Sequence, residues 1–255
     1  MEQNFDNNQR QTTPPPLYGA NRAYSAESTG QRDMSAISTR ALFNNVFLWM
    51  FGALLVTALT ALAVVHTDLF YLLVNGPAMI VCIIAELALV FVLSARIGKM
   101  SFTTATVMMV IYSALNGVTL SIIFAAYTTA SIATTFFIAA GMFGVMALVG
   151  ATTKHNLSPI YRYLIMTLVG LILASLVNIF LRNTIMDLII SAVGVVLFVI
   201  LTAVDTNRIK KMITEYNGVV DNETIRKIAL MGALSLYLDF INLFLYLLRF
   251  FGRNN

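Results

Sequence analysis

Residues 233–252 read ALSLYLDFINLFLYLLRFFG, an apolar run with one aspartate, Asp239, in its middle. A run of about 20 apolar residues is long enough to cross the hydrocarbon core of a bilayer as an α-helix. Lipid offers no partners to the backbone N–H and C=O groups, so a spanning segment of this kind is helical. A carboxylate at that depth is costly, and we therefore expect Asp239 to face protein or a water-filled path.

Polar and small residues recur along this run at spacings of three and four, which places them on one face of the helix. They are Gly232, Ser235, Asp239, Asn242 and Tyr246. The remainder of the helix surface is apolar. The stripe is therefore predicted to face protein or water, and Asn242, Ser235 and, from the second span, Glu86 are candidates for polar support of the aspartate site.

The composition of the whole chain indicates a membrane protein. Of its 255 residues, 58% are hydrophobic and only 11% are charged, which lies outside the usage of soluble globular proteins. The fold class is therefore all-α, a polytopic membrane protein built as a bundle of seven transmembrane helices. The predicted spans are residues 41–65, 77–95, 103–125, 131–150, 162–181, 185–204 and 228–251.

The first 40 residues differ from the rest, being rich in Gln, Asn, Ser, Thr and Pro. A segment with so little apolar matter cannot form a core, so residues 1–40 are predicted to be a disordered cytoplasmic tail and residues 41–255 the membrane domain. The start of the chain lacks the charged and short apolar regions of a signal peptide. The single cysteine, Cys82, excludes an intrachain disulfide.

Lysine and arginine are concentrated in alternate loops. All but three of the sixteen lie in the tail and in the second, fourth and sixth connections, the exceptions being Arg182, Arg249 and Arg253. Cytoplasmic loops hold an excess of these residues, so the N-terminus is predicted to be cytoplasmic and the C-terminus outside. An alternative has six spans, with the last run re-entrant and the C-terminal arginines cytoplasmic.

Two further acids, one inside a predicted span and one at the end of another, need an account. Asp205 closes the sixth span on the cytoplasmic side, and Arg96 at the end of the second span is the opposite charge at the same depth, so this pair is a candidate latch. Glu86 lies in the middle of the second span. It is predicted to be protonated and hydrogen-bonded or, with difficulty, paired with Arg182 or Arg96.

Counting residues from the basic edges does not bring Asp205 to Asp239. Asp205 lies roughly ten residues, or ~15 Å, nearer the cytoplasm than the bilayer centre. Contact between the two requires that the last helix starts deeper, with IALMG (228–232) projecting into the cytoplasm, or that it tilts.

Four motifs together resemble those of the Bax inhibitor-1 family, the transmembrane BAX inhibitor motif proteins, in a bacterial inner-membrane member. They are NGVTLSIIF (116–124), LASLVNIFL (173–181), LTAVDTNRIKK (201–211) and GALSLYLDFINLFLYLLRFFG (232–252). The resemblance runs from about residue 41 to the end. It implies seven helices with the last one central, and a pH-sensitive calcium leak.

The resemblance also implies that an aspartate pair, matching Asp205 and Asp239, is the functional centre, with an arginine such as Arg96 as latch. Two carboxylates in a poorly solvated site cannot both ionise easily, so they share a proton and sense pH. When deprotonated they offer the hard oxygen ligands that calcium prefers, and Asn242 or water would complete a weak, transient cation site. Weak binding is what conduction requires.

The same residues also fit another class of function. The chain is alternatively a regulator or interaction partner of a membrane protease or stress-response complex, acting through its tail and basic loop. Neither a catalytic triad, nor zinc-ligand spacing, nor a phosphate-binding glycine loop is present, so no enzyme activity, resident cofactor or nucleic-acid partner is expected. An intramembrane aspartyl protease also uses two aspartates, but its glycine- and proline-containing signatures are missing. The expected partners are lipid, protons and calcium ions.

Overall fold

The computed structural model describes residues 20–216 and 221–252, and within these ranges the chain is helical without a strand. A short 3-10 turn at Ile97–Lys99 separates the third helix from the fourth. In chain order, the α-helices are α1 (Ala20–Val65), α2 (Asp68–Asn75), α3 (Ala78–Arg96), α4 (Phe102–Leu120), α5 (Ile123–Ala126), α6 (Thr129–Thr152), α7 (Ser158–Leu181), α8 (Thr184–Tyr216) and α9 (Asn222–Phe251).

The chain divides into two units, Met1–Ser38 and Thr39–Asn255. Of the tail predicted to be disordered, residues 1–19 lie outside the described residues, and the backbone from Ala20 belongs to α1. Disorder stays a prediction for residues 1–19. All that follows concerns the second unit.

Seven helical segments of this unit are long and apolar enough to cross a membrane. They begin at Thr39 in α1 and end with α9, and α4 and α5 together form the third span. The prediction of seven spans is confirmed. The six-span alternative is wrong, because α9 continues as one helix to Phe251.

The last helix is the central one, as predicted. In the most apolar stretch of α9, 67% of the residues are buried, against at most 39% in any other span. Its neighbours are chiefly α8, then α6 and α4. Leu236, Tyr237 and Leu243 are fully enclosed. A helix that is apolar almost all round belongs inside a bundle, and the polar stripe of α9 then meets other helices rather than lipid.

Glycines set the closest helix contacts. A Cβ at Gly117 would lie 2.8 Å from Thr60 Cβ, so α4 and α1 approach almost backbone to backbone. A Cβ at Gly150 would lie 2.9 Å from the carbonyl carbon of Ala203, which joins α6 to α8 in the same way. Small residues at such crossings are typical of membrane helices, whose association depends on close packing.

Helices α8 and α9 extend beyond the predicted spans on one side of the bundle. The sequence ends the sixth span at residue 204 and starts the last at 228, whereas α8 runs to Tyr216 and α9 begins at Asn222. The buried side chains of Ile209 and Ile213 explain the extension, because they pack against the first turns of α9. IALMG therefore lies inside α9, opposite the extension of α8.

Part of the basic cluster on this extension ties helix ends together. Lys210 Nζ donates to the carbonyl of Ala151 at 2.5 Å, and Asn207 Nδ2 donates to that of Gly150 at 3.3 Å. These carbonyls belong to the last turn of α6, where no later N–H group of the same helix is left to donate to them. This turn also carries the negative end of the helix dipole. The cluster is thus partly structural.

Asp221 caps the N-terminus of α9. Its carboxylate accepts hydrogen bonds from the Thr224 hydroxyl at 2.7 Å, the Thr224 N–H at 3.0 Å and the Glu223 N–H at 3.0 Å. These donors favour the ionised form and hold the pKa of Asp221 below its usual range, the Thr224 hydroxyl contributing most.

We expect the cap to weaken in acid. Since the folded pKa is depressed, the stabilisation is present above the unfolded pKa of ~3.9 and is lost as the pH falls through the lower folded value. As the pH falls through that lower value, hydrogen exchange at the Glu223 and Thr224 amides should become faster in proportion to the intrinsic rate of an unprotected amide. Asp221→Asn, which keeps a capping oxygen but does not titrate, should remove that step. The same step in both proteins would contradict this assignment.

Candidate functional site: a buried aspartate pair

The antiparallel packing of α8 and α9 brings Asp205 close to Asp239. A Cβ at Gly232 would lie 3.0 Å from the Ile209 side chain, and one at Gly194 would meet the Tyr246 ring, which sets the register of the two helices. In this register Asp205 is level with Ser235, and Asp239 lies about one helical turn, ~5.4 Å, further along.

The Asp205 carboxyl group is within electrostatic range of Asp239 and acts on it as a like charge. Asp205 is 7% exposed and Asp239 is 5% exposed. Depth counting argued against this approach because it ended α8 too early and began α9 too late. The structure brings the predicted pair together, and its functional role stays a prediction.

Several buried oxygens of the pair and of the residue next to it lack a hydrogen-bond partner in the described part of the chain. Asp205 Oδ1, Asp239 Oδ2 and the neighbouring Thr206 Oγ1 are buried and accept or donate no hydrogen bond among the described residues. A buried polar atom left without a partner costs ~1–3 kcal/mol, and more when the group is charged. A proton or a cation bound between the carboxyl groups would remove part of that cost.

The cation beside Asp205 is Arg208 rather than the predicted Arg96. Arg208 Nη1 lies 3.6 Å from Asp205 Oδ1 on the same helix, and its guanidinium stacks 3.7 Å above the centre of the Tyr161 ring. Arg96 is exposed at the end of α3 and forms no ion pair with Asp205. The predicted Arg96–Asp205 latch is therefore not formed in this conformation. Helix α3, which carries Arg96, packs chiefly against α4, whereas Arg208 lies one turn from Asp205 on α8 itself.

The two predicted supporting residues on α9 differ in what they contact. Ser235 lies close enough to the Asp205 carboxyl group to act on it, as its level in the register requires. The Asn242 amide donates to the carbonyl of Leu238 at 2.8 Å, within its own helix. Ser235 therefore contacts the pair directly, whereas the amide nitrogen of Asn242 is directed to the backbone.

Glu86 belongs to a separate polar network. Its carboxyl group accepts a 2.6 Å hydrogen bond from the Thr119 hydroxyl, and Asn116 lies within hydrogen-bonding range. Asn116 Oδ1 in turn accepts from the Tyr237 hydroxyl at 3.1 Å, and that hydroxyl lies 2.8 Å from Thr57 Oγ1. Glu86 is hydrogen-bonded as one of the predicted alternatives has it, and the network links α3, α4, α9 and α1.

A third polar contact joins the far ends of α8 and α9. Arg249 and Asp187 form a two-pronged ion pair, in which Arg249 Nε donates to Asp187 Oδ2 at 2.8 Å. Asn178 Nδ2 also donates to Asp187 Oδ1, at 3.2 Å. In the sequence, Arg249 serves only to indicate orientation. Asp187 is not identified as a site residue, because it lies at a helix start, where acids are common.

Arg208 and Tyr237 are the residues that the sequence reasoning missed. Arg208 could have been found, because residues three apart on a helix are neighbours and Asp205 and Arg208 carry opposite charges. Tyr237 carries no comparable signal. Its hydroxyl becomes a link between helices only through partners that lie far away in the sequence.

Comparison with known proteins agrees with this architecture. The family model described as Inhibitor of apoptosis-promoting Bax1 matches residues 39–255. The chain is 48% identical to the Inner membrane protein YbhL of Escherichia coli K12 over 209 residues, which cover 81% of this chain and 89% of that protein. It is 42% identical to an uncharacterized protein of Borreliella burgdorferi over 228 residues, which cover 87% of this chain and 97% of that protein. The chain therefore belongs to the Bax inhibitor-1 family of integral membrane proteins.

Proposed function

We propose that this protein is a pH-sensitive calcium leak channel of the inner membrane, gated by protonation of Asp205 and Asp239. The inner-membrane location follows the name of its relative YbhL. The orientation that we propose places the N-terminus and the Asp221 cap in the cytoplasm, because Lys and Arg are concentrated on that side. No residue is assigned a catalytic role.

One observation carries the proposal: two buried carboxyl groups, one on α8 and one on α9, lie within electrostatic range, and each has an oxygen without a hydrogen-bond partner among the described residues. Two such groups cannot both ionise without strong repulsion in a poorly solvated site. They therefore hold a shared proton whose loss changes the charge at the centre of the bundle. The oxygens without a hydrogen-bond partner are where that proton, or a cation, would bind.

The same oxygens suit a passing calcium ion better than a resident one. Calcium takes six to eight oxygen ligands, many more than two carboxyl groups supply. Among the described residues no group of three His, Cys, Asp or Glu side chains converges on one point, so any further ligands are backbone, hydroxyl or water oxygens. A site of this kind binds weakly, and weak binding lets an ion leave as well as enter.

Protons and calcium compete for these oxygens, which gives the sign of the pH effect on binding. Calcium binding requires deprotonated ligands, so it weakens as the pH falls. By the same linkage, raising the calcium concentration at fixed pH displaces the proton. The midpoint of the pH profile should therefore move to lower pH when more calcium is supplied.

The test is calcium flux into proteoliposomes over a pH series, with wild type and Asp239→Asn. We expect the wild-type flux to vary with pH and the variant to lose the wild-type pH profile, because asparagine keeps the side-chain shape but cannot titrate and leaves Asp205 without a carboxyl group to share the proton. The matched control is Asp221→Asn, which changes an exposed cap on the same helix. It should keep the wild-type profile.

Two results would contradict the proposal. One is Asp239→Asn conducting with an unaltered pH profile, which would remove the pair as sensor. The other is wild-type vesicles that stay impermeable to calcium at every pH, which would leave the interaction protein as the function to pursue.

Arg208→Gln should move the midpoint of the flux profile to higher pH. Its positive charge stabilises ionised Asp205, so its removal lets the pair keep the proton longer. A partly exposed ion pair is worth ~0.3–1 kcal/mol, which corresponds to about 0.2–0.7 pH unit. Arg96→Gln removes an equal charge that forms no ion pair among the described residues, and it should leave the midpoint unchanged. A shift with Arg96→Gln alone would return the latch to Arg96.

A further inference from the structure

A large apolar cavity opens on the side of the bundle, separate from the aspartate pair. Its volume is about 550 Å³, and α1, α4, α5, α6 and α9 form its walls. It occupies the half of the membrane domain toward the α1 and α9 ends at Val65 and Phe251. Its floor is a segment of the central helix, Phe240, Ile241 and Phe244.

Water is a poor occupant of this cavity. Thr57 is the one polar residue of its lining. The Thr57 hydroxyl is already engaged by Tyr237 and by the carbonyls of Ser113 and Ala53, at 2.8–3.0 Å. A buried water needs two to four polar partners, and cavities that lack them stay dry. An empty cavity leaves the side chains around it without dispersion contacts, so an apolar occupant would be stabilising.

The rim of the cavity is continuous with the surface that faces lipid. Phe51, Leu55 and Leu62 line it and are 66%, 50% and 48% exposed, on the outer side of α1. Ala58 and Ala140 also line it, and their small side chains leave the opening wide. A hydrocarbon chain of the surrounding leaflet can therefore enter sideways without leaving the apolar phase.

We propose that this cavity is a binding site for one acyl chain of a phospholipid in the leaflet next to the C-terminal end of α9. The chain lies between α1 and α6 and contacts Phe240, Ile241 and Phe244. These residues are only 3–7% exposed, so a bound chain touches the central helix at a place that bulk lipid does not reach. Phe240 follows Asp239 in the sequence, but neither aspartate lines the cavity, and the proposed lipid site does not depend on calcium conduction.

The test is photolabelling in vesicles of phosphatidylethanolamine and phosphatidylglycerol. A small share of the phosphatidylethanolamine carries a diazirine in the middle of one acyl chain, and labelled peptides are located by mass spectrometry. We expect label on residues 240–244 of α9. Label confined to lipid-facing residues of α1, α3, α6 and α7 would overturn the proposal, whether the cavity is empty, closed or filled by a protein segment.

Variants that fill the cavity sharpen the test. Ala140→Phe places a ring in the opening and should reduce labelling of residues 240–244 several-fold. Ala133→Phe is the control, an exposed alanine on the same helix outside the cavity, and should leave it unchanged. Ala58→Phe plugs the opening from α1 and serves if Ala140→Phe fails to fold. Undiminished labelling of residues 240–244 in a folded plugged variant would contradict the site.

Discussion

Gly150→Ala is expected to destabilise the bundle by ~3 kcal/mol, at or above the upper end of the usual range for overpacking. The new Cβ would lie 2.9 Å from both the Ala203 carbonyl carbon and Thr206 Cβ, and nearer still to the Ala203 oxygen. No side-chain rotation relieves a clash with backbone, so α6 and α8 must move apart. That shift also disturbs Asp205, two residues beyond Ala203.

The matched control for this substitution is Gly144→Ala on the same helix. A Cβ at Gly144 meets nothing within 4 Å. Alanine is also the better helix former, so the control should be neutral or slightly stabilising. The measurement is the midpoint of thermal unfolding of purified protein in one detergent. Equal midpoints for the two variants would mean that the helices do not approach at Gly150 as closely as described.

Tyr237→Phe is expected to lower the stability by about 1–2 kcal/mol. The hydroxyl is fully enclosed and joins Thr57 of α1 to Asn116 of α4, and its removal leaves both with one partner fewer. Hydrogen bonds between membrane helices are worth ~0.6 kcal/mol on average and at most ~1.7, but leaving buried partners unsatisfied adds to that loss.

Tyr112→Phe is the control for the Tyr237 prediction. Tyr112 is buried and its ring packs edge to face on that of Tyr237, with centroids 5.9 Å apart. No hydrogen bond of its hydroxyl occurs among the described residues, so the substitution should cost little. Unfolding in the same detergent compares the pair directly. A Tyr112→Phe loss as large as that of Tyr237→Phe would show that ring packing, not the hydroxyl network, matters here.

The membrane class, the number of spans and the central position of α9 could be predicted because each depends on local composition or on motif. Span length follows from bilayer thickness, and the central position of the last helix is implied by the resemblance of its motif to the Bax inhibitor-1 family. Asp205 and Asp239 were found for the same reason: an acid in an apolar run is conspicuous by its cost.

The partners of these acids could not be read in the same way. Arg96 was chosen as latch because it shares a depth with Asp205, but depth specifies neither the direction of a side chain nor which neighbour is nearest. Arg208 is nearest because both residues lie on one face of α8 and Tyr161 holds the guanidinium from α7. Glu86 likewise has hydroxyl and amide partners instead of an arginine.

The sequence by itself determined that the chain is embedded in a lipid bilayer, how many spans it has, and that it carries acids within the apolar segments, which lipid cannot solvate. These follow from transfer free energies, which act on each segment alone. The tertiary structure decided that α8 extends to Tyr216 and that α9 starts at Asn222, so that Asp205 and Asp239 lie about one turn apart. That register depends on Ile209 packing against Gly232 and on Gly194 admitting the Tyr246 ring. Such contacts join residues distant in the chain, and no local pattern encodes them.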